Sequence, residues 1–234
     1  MHKLFCYIII AFLCANIAWA DDGKIARIEG QYTAHYNYEN DIESGDFTET
    51  GMVVYYLAQG SDKKSVTKYD IYPERIVNNS NDSTLTKISP KLEIFKAFWP
   101  VPSAMGKAQP VDTVSANGIT TLTFNLKDNF DADSRKAMRV AGLNMDIDTA
   151  VVTLTLKAPH INKASLSSFQ TLSEKLIATF NGRQYRRMFG GKPAKCNVDI
   201  NITFNSSDST TILTKKEAKA MRKGERKIWE SAHE

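Results

Sequence analysis

The sequence predicts a mainly β protein with minor α: an antiparallel, curved sheet, as a half-barrel or sandwich, with one packed amphipathic helix and a C-terminal helix. Three observations carry that expectation. Several segments alternate apolar and polar residues with period two, the signature of half-buried strands. One later segment places apolar residues at three- and four-residue steps. The chain then closes on a highly charged stretch that opens with a Thr-x-x-Glu pattern.

A leader precedes all of this. Met1-His2-Lys3 is positive, Leu4 to Leu13 is apolar, and Ala18-Trp19-Ala20 ends the segment with small residues before Asp21-Asp22. This is the layout of a secretory signal peptide over residues 1–20, so a single exported β-rich domain is expected over 21–234, periplasmic or secreted. The apolar run is shorter than the roughly 20 residues of a spanning helix, so no transmembrane anchor is expected. A bulky Leu13 before Cys14 argues against lipidation there.

Composition bounds the rest. Apolar residues make up 42% and aromatics 10% of the chain, which excludes a disordered polymer and requires a core. Of three cysteines, Cys6 and Cys14 fall in the leader, so Cys196 has no partner for an internal disulfide. Lys3 also falls there, leaving 29 cations against 26 acids, too mild an excess to indicate nucleic acid. The charge is unevenly spread, acidic from Asp21 to Gly60 and basic from Arg183 to Glu234.

In order, Ile28, Gly30, Tyr32, Ala34, Tyr36 and Tyr38 share one strand face, with His35 on the other. After the turn Asn40 to Asp46, Phe47 to Ala58 is a second strand, and Ser65 to Tyr72 a third, giving a meander. Asn78 to Ser83 is a loop, and the prolines of Phe98-Trp99-Pro100-Val101-Pro102 exclude regular structure. Gly118 to Leu126 alternates again, with Leu122, Phe124 and Leu126 inward. Asp131 to Val140 is assigned a short helix. Asp148 to Lys157 turns Ala150, Val152, Leu154 and Leu156 inward. From Lys163 to Phe180, Leu166, Phe169, Leu172, Leu176, Ile177 and Phe180 predict an amphipathic helix stopped by Asn181-Gly182. Val198, Ile200, Ile202 and Phe204 form the inward face of a further strand, whose phase also turns Cys196 inward. Thr211-Ile212-Leu213 follows, and Thr214 with Glu217 forms a capping box for a helix over about 214–232.

Catalytic chemistry finds little support. Cys196 lacks a local Cys-His signature and fits core packing better. His35, His160 and His233 have no neighbours at metal-ligand spacing, so no metal and no cofactor is expected. Ser61-Asp62-Lys63-Lys64 matches a Ser-x-x-Lys spacing but lies in a turn, without the Lys-Thr-Gly element. Asp131-Ala132-Asp133 lacks the later ligands of a calcium loop.

The most distinctive stretch runs from Gly182 to Pro193, where Arg183, Arg186 and Arg187 alternate with Tyr185 and Phe189 before Gly190-Gly191. Arginine forks suit phosphate or carboxylate, so an anionic or amphiphilic envelope component is the expected partner, weighed against a plain solvated hairpin. Over a short stretch, Asn181-Gly182-Arg183 with Cys196 resembles the closing part of a family of exported bacterial β-sheet proteins, and no family is assigned on it. Tyr32, Tyr36, Tyr38, Met52, Val54 and Tyr56 are expected to line a concave sheet able to hold an apolar ligand. The candidate binding residues are therefore Arg183, Tyr185, Arg186, Arg187, Tyr32, Tyr36 and Tyr56, with no catalytic residue named. A non-enzymatic binding or envelope-assembly role is expected. The alternatives are a hydrolase whose site forms only in the fold, with His160 joined to a nucleophile and an acid, and a structural partner-binding module.

Overall fold

Alternation of side chains across an extended backbone decides this fold, because most of the long strands have an apolar row to bury. The computed structural model describes residues 25–41, 44–58, 68–78, 108–127, 144–160, 172–185, 193–205 and 211–232. Among the described residues nine strands form one antiparallel sheet: β1 (Ile25–Glu39), β2 (Ser44–Ala58), β3 (Lys68–Asn78), β4 (Asp112–Ala116), β5 (Ile119–Asn125), β6 (Asn144–Leu156), β7 (Ser173–Tyr185), β8 (Pro193–Phe204) and β9 (Thr211–Leu213). A single helix among the described residues, α1 (Lys215–Ala232), follows.

The order across the sheet is β3-β2-β1-β8-β7-β6-β5-β4, with β9 also pairing β1. Two meanders are thus joined by the pairing of β1 with β8, which brings Tyr36 opposite Val198 and Ala34 opposite Ile200. The sheet is curved and is not closed into a barrel. Among the described residues the tightest turn is Asn117-Gly118 between β4 and β5, both with positive φ (53° and 76°). That two-residue connection matches the twist of the strands it joins.

The inner face is one continuous core. Ile28, Tyr36, Val53, Tyr55, Leu122, Phe124, Val152, Leu154, Leu176, Phe180, Val198 and Ile200 belong to the same buried cluster. The inward phases expected for β1, β5, β6 and β8 hold, including that of Cys196, which is 5% exposed. Burying large side chains of this kind contributes about 1.5–3 kcal/mol each, which makes the inner face the main source of stability.

Two expectations are corrected. Ser173–Tyr185 is a strand, so the helix expected over Lys163 to Phe180 is wrong in its second half; residues 163–171 lie outside the described residues. Leu172, Leu176 and Phe180 are four apart, a spacing that fits a helical stripe and an alternating strand equally. Alternation decides it: Leu176, Ala178 and Phe180 are buried, whereas Ile177 is 40% exposed. The phase of β2 is the second correction. Val53, Tyr55 and Leu57 join the inner core, while Met52, Val54 and Tyr56 face outward with Tyr72 and Leu213. The run Met52 to Leu57 is apolar on both faces, so its sequence could not report the phase.

Opposite Thr50 and Gly51 of β2, β3 carries one extra residue, Glu74, a bulge that bends β3. There a Cβ on Gly51 would lie 2.9 Å from the Cα of Pro73, so only glycine permits the close approach. Expectations for the leader, the helix over Asp131 to Val140, and the Phe98 to Pro102 segment fall outside the described residues.

Candidate functional site: a cationic groove beneath the C-terminal helix

The helix begins where the sequence says it should. Thr214 donates its backbone N–H (2.8 Å) and its hydroxyl (2.7 Å) to the Glu217 carboxylate, and the Glu217 N–H donates back to the Thr214 oxygen at 3.2 Å. These bonds favour the ionised form and hold the Glu217 carboxyl below its usual range.

The helix docks on the outer face of β1, β2 and β3, largely through charge. Asp70 of β3 is only 5% exposed and accepts from both Arg222 and Arg226, with Arg222 Nη2 and Arg226 Nε each 2.8 Å from Oδ1. Arg222 Nη2 also donates to the Tyr69 carbonyl at 3.2 Å. Glu225, one turn along, accepts from Arg27 Nε at 2.9 Å and from the Tyr56 hydroxyl. Arg27 in turn pairs with Glu29 at 2.7 Å. Among the described residues apolar contacts are few: Ala218 is buried beside Val54 and Leu213, and the Trp229 ring packs 6.2 Å from that of Tyr72, tilted by 53°, while donating to the Pro73 carbonyl. Burial, reinforced by the Glu225 hydrogen bond, raises the Tyr56 hydroxyl well above its ordinary range. Burial and the Asp70 charge push Tyr72 up to about 12.

Beside this contact lies a groove of about 950 Å³. Ile25, Tyr56 and Ala218 supply apolar lining, and Lys68, Lys215, Lys219, Arg222, Lys223, Arg226 and Lys227 supply seven cations against one acid, Glu230. Asp70 neutralises part of the arginine charge from beneath. Among the described residues, no carboxylate stands within ion-pair distance of the five lysines. The arrangement can hold an anion at the helix and an apolar group on the floor.

The residues singled out from sequence are not brought together. Tyr32 and Tyr36 are packed into the inner core, 3% and 1% exposed. Tyr32 donates to the buried Glu49 at 2.5 Å, and burial with that carboxylate raises its pKa above the ordinary range. Tyr56 lies on the opposite face, in the groove. Arg183 is exposed near the end of β7, 3.7 Å from Asp148, the extra residue of a bulge in β6. Tyr185 ends β7, and Arg186 and Arg187 lie outside the described residues.

His35 is half-exposed on the outer face, its Nε2 3.0 Å from Asp46. His160 is exposed in the loop after β6, with φ 54°. Among the described residues no cluster of His, Cys, Asp and Glu could hold a metal ion, and no helix is long and apolar enough to cross a membrane.

Sequence reasoning missed the groove, although its signal was present. Lys215, Lys219, Lys223 and Lys227 repeat every four residues, which places them along one flank of a helix. The floor could not be read, because Ile25, Tyr56 and Lys68 meet only through strand pairing.

No protein-family model and no curated protein matches this chain. Among solved structures, it aligns with the dehydratase domain from the CurK module of curacin polyketide synthase at 6% identity, over 77% of this chain and 76% of that one, with a TM-score of 0.13. An inactive mutant of the same dehydratase gives the same values. A likeness at that score carries no argument.

Proposed function

We propose that this is an exported envelope protein with a non-enzymatic role, binding an amphiphile whose anionic head sits among the cations of α1 and whose apolar part rests on Ile25, Tyr56 and Ala218. One observation carries the reading: seven cations and one acid line a groove with an apolar floor. Excess charge of one sign in a concave site raises the local concentration of opposite charge. The inner face is instead a cluster of buried aromatic and aliphatic side chains. Export rests on the leader over residues 1–20.

Binding of a fluorescent long-chain anionic probe tests the reading, with a zwitterionic probe of equal chain length beside it. The anionic probe is expected to bind more tightly at low salt and to lose that advantage as ionic strength rises, because exposed charge is screened beyond about 10 Å at 0.1 M. Equal, salt-insensitive binding of both probes, or no binding of either, contradicts it.

A further inference from the structure

The length of the cationic flank says more about the head than its charge does. Lys215, Lys219, Lys223 and Lys227 lie one helical turn apart, so their backbones step by about 6 Å and span about 18 Å in all. A single carboxylate or phosphate can reach one or two of these positions. The arginines nearer the sheet are already engaged by Asp70, whereas among the described residues no carboxylate lies within ion-pair distance of these lysines, and the one acid of the lining, Glu230, stands on α1 itself beyond Lys227. Two separate sets of cations are therefore left without a resident anion: Lys215 with Lys219 beside the apolar Ala218, and Lys223 with Lys227 farther along.

We infer that the groove takes an amphiphile bearing two phosphoryl-class anions set about two helical turns apart, one for each lysine pair. This rests on the binding reading above and adds the valence and spacing of the head. Phosphate fits better than carboxylate because a lysine ammonium acts as a point charge, and a phosphomonoester brings nearly two negative charges to it.

The test uses the full chain with mono- and bis-phosphorylated forms of one disaccharide amphiphile carrying identical acyl chains. The bis-phosphorylated form is expected to bind about tenfold more tightly at low salt, the upper range for two further exposed ion pairs. Lys215→Gln with Lys219→Gln, and separately Lys223→Gln with Lys227→Gln, should each bring its affinity down to that of the monophosphorylated form. Circular dichroism on both double variants confirms that the helix still forms. Equal affinity of the two amphiphiles, or no loss in either folded variant, overturns the two-anion inference while leaving amphiphile binding intact. Failure of both amphiphiles to bind removes the binding reading itself.

Discussion

The outer face of the sheet divides into two regions that the same alternation builds from different chemistry. Over β1 to β3 the outward row contains Arg27, Val54, Tyr56, Asp70 and Tyr72, and α1 covers it. Over β5 to β7 the outward row includes Thr121, Thr123, Thr153, Thr155 and Thr179, interrupted by Val151 (42% exposed) and Ile177 (40% exposed). Threonine suits an open strand face because its branched Cβ favours extended backbone while its hydroxyl stays wet. The covered half instead buries the Asp70 carboxylate and the Tyr56 hydroxyl, which need partners once water is excluded. The helix supplies them. Its docking is specified by charge and hydrogen bonds more than by apolar area, and the excess cations on its flank line the groove.

If that contrast is right, the covered half should be the more sensitive one. Asp70→Asn removes one carboxylate from two guanidiniums and should destabilise the protein by roughly 2–3 kcal/mol. That is below the ~3–5 of a fully buried pair, because Arg222 and Arg226 can still reach water. Denaturant unfolding measures it, and a loss under 0.5 kcal/mol would show that the helix docks by other means.

Alkaline pH separates the halves next. Tyr56 and Tyr72 hold their protons more tightly in the folded protein than a free tyrosine, which ionises near pH ~10. Their contribution is therefore fully present below that pH and is lost as pH rises toward about 12, the value for Tyr72. Tyrosinate absorbance should lag a free-tyrosine titration and rise together with loss of near-ultraviolet circular dichroism. Ordinary ionisation of these tyrosines in a folded protein would contradict their placement under α1.

Smaller effects sharpen the comparison. A Cβ added at Gly224, in the middle of α1, meets nothing within 4 Å. Gly224→Ala should thus stabilise by about 0.5–1 kcal/mol through helix propensity, read as a raised melting temperature. On the open half, Ile177→Asn should change stability by no more than about 0.5 kcal/mol. A large loss there would mean that something packs on that face.

How much of this was legible depended on how local the information was. The strands β1, β5, β6 and β8 announce themselves by alternation, and the capping box at Thr214 fixes the start of α1. The Asn117-Gly118 pair marked the hairpin that introduces β4, a short-range signal left unread. The segment from Leu172 to Phe180 misled because a four-residue spacing serves both periods. The inward face of Met52 to Leu57 was undecidable because both faces are buried. The groove was the least legible, since Ile25, Lys68 and Lys227 are distant in sequence and converge only through pairing across the sheet and the return of α1.

Hydrogen exchange read by mass spectrometry, with and without a saturating anionic amphiphile, tests the central claim most directly. The account predicts added protection in α1 and in the adjoining ends of β1, β2 and β3, with β5, β6 and β7 unchanged. Protection centred on β5 to β7, or spread evenly over the sheet with α1 unaffected, would contradict it.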